Sequence, residues 1–128
     1  ELKKVVLYSI GVQELLAPVF ADPIFLTVFI YGSYAKGELD FSSDIDVFAV
    51  IDNDLTEKDY LKINKQVEKI EKRISREINL DIYSKMDVLM KKTGKESYLL
   101  DILEGKKIFI KEGGESELRL LFGSETES

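Results

Sequence analysis

The sequence contains no cysteine and no histidine in 128 residues. Without cysteine there are no disulfides, thiol nucleophiles, zinc ribbons or iron–sulfur clusters. Without histidine there is no Ser-His-Asp triad, no imidazole acid–base chemistry, and almost none of the zinc hydrolases. Catalysis in such a chain rests on carboxylates, hydroxyls, Lys, Arg and backbone, assisted by a hard cation such as Mg²⁺. Long apolar runs are also lacking. The longest, Ile24 to Tyr31, is strand-sized, far below the roughly 18–20 residues of a membrane span. No basic segment and apolar run lead to a small-residue cleavage site. The expectation is a soluble, cytoplasmic protein with no membrane partner. The chain opens on Glu1 rather than Met, as a segment of a longer protein would. The net charge of −6 argues against broad non-specific binding to nucleic acid. The length suits one domain, and 45% hydrophobic residues suffice for one core.

Hydrophobic periodicity sets the order of elements. Val5, Tyr8, Val12, Leu15 and Leu16 recur at helix-face spacing, so a helix is expected over Leu2 to Leu16, ended by Pro18 and Asp22-Pro23. Ile24 to Tyr31 is a β-branched and aromatic run that reads as a strand buried on both faces. Gly32-Ser33-Tyr34-Ala35-Lys36-Gly37 breaks it, and Asp44 to Ile51 is a second strand. Thr56 and Asp59 form a helix-start signal. Tyr60, Ile63, Val67, Ile70 and Ile74 then mark one helical face. Ile78 to Tyr83 reads as a third strand. Ser84 with Asp87 opens another helix, Glu96 to Leu103 is a further one, and Lys107 to Lys111 is a last strand. The fold class is α/β (α+β): a small mixed sheet flanked by helices. Residues 1–113 form the domain and 114–128 a polar C-terminal tail, in which Leu118, Leu120, Leu121 and Phe122 hint at one apolar contact.

Chemistry concentrates in Gly32-Ser33-x-Ala35-x-Gly37 and the following Ser43-Asp44-Ile45-Asp46. A buried strand that runs into Gly-Ser lets backbone N–H groups approach an anion closely, and a phosphate is the natural occupant. Asp44 and Asp46 lie two apart on a strand and so share a face, while Ile45 and Val47 take the other. Two such carboxylates repel by about 2–3 kcal/mol at an effective dielectric of 20, and a divalent cation removes that penalty. Asp81 lies in the third strand, and completes a three-carboxylate cluster if that strand pairs beside the second. Such a cluster suits a pair of metal ions in phosphoryl or nucleotidyl transfer.

These motifs, with their order, spacing and strand context, resemble the nucleotidyltransferase domain of the DNA polymerase β-like superfamily, in particular its minimal nucleotidyltransferases. The resemblance runs from about Val5 to Lys111. It implies that Gly32 and Ser33 hold the β/γ phosphates of a nucleoside triphosphate, with Lys36 and Ser43 also on the nucleotide. It implies that Asp44, Asp46 and Asp81 bind two Mg²⁺ ions (Mn²⁺ substituting), and that Asp81 helps deprotonate an acceptor hydroxyl. The implied reaction moves an NMP, AMP from ATP in the first instance, to a hydroxyl of a protein or other acceptor, and releases pyrophosphate. The chain departs from the family in carrying Tyr34 where many members carry Arg. The resemblance further implies a HEPN-type protein partner in a toxin–antitoxin pair, or a fused winged-helix DNA-binding domain, and allows a homo-oligomer. The alternative from another class is a non-catalytic nucleotide-binding module that regulates such a partner.

Overall fold

The computed structural model describes residues 11–37, 44–93, 97–111 and 113–126. The described elements are α1 (Val12–Leu16), a 3-10 turn (Ala17–Phe20), β1 (Phe25–Tyr31), α2 (Gly32–Ala35), β2 (Ile45–Ile51) and α3 (Glu57–Ile74). They continue with β3 (Ile78–Ser84), α4 (Lys85–Thr93), α5 (Ser97–Glu104), β4 (Ile108–Phe109) and α6 (Gly114–Thr126). The expected first helix is seen from Val12; its reach back to Leu2 lies outside the described residues. No helix among the described residues is long and apolar enough to cross a membrane.

The four strands form one mixed sheet in the order β3-β2-β1-β4. β1 pairs antiparallel with both β2 and β4, and β2 pairs parallel with β3. A parallel pair needs a crossover, and α3 supplies it. Its start is held by a reciprocal cap: Asp59 N–H donates to Thr56 Oγ1 at 3.1 Å, and Thr56 N–H donates to Asp59 Oδ2 at 3.4 Å. Its end turns on Ser75, in left-handed conformation at φ 56°. Ile63, Val67 and Ile74 are buried, whereas Tyr60, expected on the same stripe, is 38% exposed. Tyr60 belongs to the first turn of the helix.

Alternation along the strands divides the core into two layers. Ile45, Val47, Ala49 and Ile51 face α3, α1 and the 3-10 turn, among Val12, Leu16 and Phe20. Phe29, Phe48 and Val50 face the opposite side with Val88, Leu99 and Ile102. This second layer is aromatic at its centre: Phe48 stacks on Phe29 at 5.3 Å and lies 5.2 Å from Tyr83, and Phe109 meets Phe29 at 5.6 Å. Ser84 caps α4, its Oγ accepting from Asp87 N–H at 3.1 Å.

The C-terminal stretch differs from the expected polar tail. Residues Gly114–Thr126 form α6, and Leu118 and Leu121 pack on the aromatic layer. Its first residue is anchored in the core, where the buried Thr27 hydroxyl donates to the Gly114 carbonyl at 2.8 Å. A Cβ at Gly114 would come 2.9 Å from that hydroxyl, so the helix can start here only without a side chain. The expected strand over Lys107 to Lys111 is shorter in the sheet, with only Ile108 and Phe109 in the ladder.

Candidate nucleotide site

The site forms where the aromatic layer runs out at one end of the sheet. Asp46 continues the face that carries Phe48 and Val50 on β2. Tyr31 is its partner across the β1–β2 ladder and continues the face that carries Phe29. Two hydrogen bonds hold the start of β3, one to β2 and one to α3. Ile45 N–H donates to the Glu77 carbonyl at 2.8 Å, and Ile78 N–H donates to the Glu71 carboxylate at the end of α3, also at 2.8 Å. The resulting register puts Asn79 beside Asp46 and Asp81 beside Phe48.

Gly32 follows β1 at φ +74°, a conformation that favours glycine. A Cβ there would lie 2.7 Å from Asp46 Oδ2. The backbone of the Gly-Ser turn therefore rests directly against a carboxylate of β2. Ser33 is half-buried in the first turn of α2, and Lys36 is exposed at its end. The first N–H groups of a helical turn have no partner within it, so this turn offers donors next to the carboxylates. Tyr34 ties the turn down from behind. Its hydroxyl accepts from Val12 N–H at 3.1 Å, and its ring lies 5.6 Å beneath the Arg76 guanidinium.

Asp44 and Asp46 are drawn together by a residue that the sequence reading passed over. The Asn79 amide nitrogen donates to Asp44 Oδ2 at 3.1 Å and to Asp46 Oδ1 at 3.2 Å. A carboxamide that faces two carboxylates presents its NH₂ group to them. Strand parity alone could not single out Asn79, because Asn79 and Asp81 are two apart and share a face; the register selects between them.

Asp81 faces the same side of the sheet as Asp46, but one alternate position further along. Its Oδ2 accepts from the Tyr31 hydroxyl at 3.4 Å, and that hydroxyl lies 3.0 Å from the Tyr98 hydroxyl. Burial, the Tyr98 contact and the nearby Asp81 and Asp46 carboxylates push the Tyr31 phenol well above its ordinary pKa, in that order of weight. It therefore stays protonated and serves as a donor. Among the described residues, no three acidic side chains come together as a ready metal-holding group. Ser43, the remaining residue expected on the nucleotide, lies outside the described residues.

A mixed sheet thus carries a glycine turn pressed against Asp46, with Asp44 joined to Asp46 through Asn79. A family model described as polymerase beta, nucleotidyltransferase, matches residues 20–112, and the chain belongs to that family. It is a nucleotidyltransferase. No curated protein matches the chain. Among solved structures, a toxin–antitoxin complex with AMP-PNP shares the fold, at TM-score 0.53 and 12% identity, over 90% of this chain and 87% of the other. A toxin–antitoxin MntA-HpeT mutant aligns at TM-score 0.49 and 15% identity, over 91% and 84% of the two chains. A tri-AMPylated Shewanella oneidensis HEPN toxin in complex with MNT antitoxin aligns at 0.43 and 12%, over 98% and 86%.

Proposed function

We propose that this domain transfers AMP from ATP to a hydroxyl on a protein partner of the HEPN type, with Mg²⁺ as cofactor and pyrophosphate as the leaving group. The observation that carries this reading is the close approach of the Gly32 turn to Asp46, which sets backbone N–H groups suited to phosphate beside a carboxylate suited to a metal ion. The toxin–antitoxin complex that shares the fold is one with AMP-PNP, which favours an adenine nucleotide and a protein partner.

The donor set fits a hard cation. Asp44 and Asp46 supply carboxylate oxygens that converge on one point, now marked by the Asn79 nitrogen. Magnesium bound there would neutralise the phosphates and polarise the α-phosphorus. Gly32 and Ser33 hold the β and γ phosphates through backbone N–H groups and the serine hydroxyl, and Lys36 flanks the triphosphate. The acceptor oxygen attacks the α-phosphorus, and the bond from that phosphorus to the bridging oxygen breaks. Asp81 takes the acceptor's proton, held in place by the Tyr31 hydroxyl.

A second reading follows from the register. Asp81 stands beside Phe48 rather than Asp46, so a nucleotide-binding module that regulates a HEPN partner or an attached winged-helix domain without chemistry is the alternative.

Thermal unfolding with Mg²⁺ alone, ATP alone and both tests the nucleotide site. Both together should raise the melting temperature by several degrees and either alone by far less. A ligand at a hundred times its Kd stabilises the folded state by about 2.7 kcal/mol. No shift at millimolar concentrations of both would remove the site.

A further inference from the structure

We propose that Tyr98 is itself an acceptor of the reaction, taking AMP on its phenol oxygen from ATP bound in the same copy of the chain. The proposal rests on the nucleotidyl-transfer reading above and adds a modification site to it.

Three observations lead there. The Tyr98 hydroxyl lies 3.0 Å from the Tyr31 hydroxyl, which in turn lies 3.4 Å from Asp81 Oδ2. Tyr31 is also the partner of Asp46 across the β1–β2 ladder, where facing side chains start about 4.5–5.5 Å apart. The Tyr98 phenol is therefore one hydroxyl away from the group assigned to take the acceptor's proton, at the end of the sheet that carries Asp46. Finally, Tyr98 is both open and fixed. It is 57% exposed, so a nucleotide can reach its oxygen, while Leu99 and Ile102 of the same helix are buried in the aromatic layer.

The chemistry closes within this set of groups. The Tyr98 oxygen attacks the α-phosphorus of ATP and forms a phosphorus–oxygen bond. The bond from that phosphorus to the bridging oxygen breaks, and pyrophosphate leaves with the bridging oxygen. AMP stays on the phenol as a phosphodiester. The Tyr98 proton passes to the Tyr31 oxygen as the Tyr31 proton passes to Asp81, along the hydrogen bonds already present. A hydroxyl held beside the site by the fold needs no encounter with a partner, and that saving in entropy lowers the barrier. To reach Asp81, a partner's hydroxyl has to take the place that Tyr98 now holds beside Tyr31.

The test incubates the full chain with Mg²⁺ and ATP, measures its intact mass, and maps any adduct by peptide fragmentation. The expected result is one AMP per chain, on Tyr98, at a rate per chain that does not change when the protein is diluted. Tyr98→Phe should lower adduct formation at least tenfold. Tyr60→Phe, which removes an exposed phenol on α3, should leave it at the parent's rate. An adduct on Ser33 or any other residue overturns the proposal. So does an adduct on Tyr98 whose rate per chain rises with protein concentration, because transfer then runs between copies. An unmodified chain whose melting temperature rises with Mg²⁺ and ATP together overturns the proposal and leaves the nucleotide site standing. An unmodified chain with no such rise takes down this proposal and the nucleotidyl-transfer reading together.

Discussion

Asp46→Asn should lose metal-dependent binding of ATP by at least a hundredfold, yet unfold at or slightly above the parent's temperature in metal-free buffer. Asp46 is half-buried, with the Gly32 backbone on one side and Asn79 on the other. Substitution by the isosteric amide keeps the packing and an oxygen that Asn79 can still meet. It removes one of two carboxylates whose repulsion, at strand spacing, is about 2–3 kcal/mol at an effective dielectric of 20. It also removes half the charge available to a cation. Isothermal titration with Mg²⁺–ATP, paired with thermal unfolding, measures both effects. A variant that binds Mg²⁺–ATP like the parent would show that the carboxylate pair has no part in nucleotide binding. A variant that unfolds would show that Asp46 is structural.

Asp81→Ala should separate binding from chemistry. The triphosphate contacts assigned above come from Gly32, Ser33 and the first two carboxylates, so nucleotide affinity should stay within a few fold. Transfer should fall at least a thousandfold, a loss of about 4 kcal/mol of transition-state stabilisation. The loss reflects both a missing proton acceptor and a Tyr31 hydroxyl deprived of its carboxylate partner. Transfer of label from α-labelled ATP to a candidate HEPN-type partner, compared with equilibrium nucleotide binding, reads the two quantities separately. Equal activity of variant and parent would assign Asp81 to structure and leave the acceptor proton to another group.

Much of the scaffold was legible because single residues carried local physics. The Thr56–Asp59 cap and the Ser84–Asp87 contact occur where the side chains anticipate them. The apolar run ending at Tyr31 does form a strand covered on both faces. Asp44 and Asp46 do meet, through the Asn79 amide, although β2 starts at Ile45 and Asp44 stands just before it. What could not be read was non-local. Choosing between Asn79 and Asp81 depends on where β3 starts against β2. That register comes with Ile45 meeting Glu77 and with Glu71 reaching Ile78, neither of which is a sequence pattern. The C-terminal helix was missed for a similar reason. Leu118 and Leu121 are too few to signal a helix by period, and the anchor at Gly114 is a hydroxyl far back in the chain, on Thr27.

The half-buried Tyr31 phenol, set between Asp81 and Tyr98, has a consequence for how activity can be controlled. A chain without histidine or cysteine has no side chain whose ordinary pKa lies between about 5 and 8. Burial pushes the Tyr31 proton further from that range, so the hydrogen bond to Asp81 survives well into alkaline solution. Small swings in proton concentration about neutrality leave the Tyr31 proton in place. On the proposed function, control would pass to occupancy: how much cation, how much nucleotide, and whether an acceptor hydroxyl is presented.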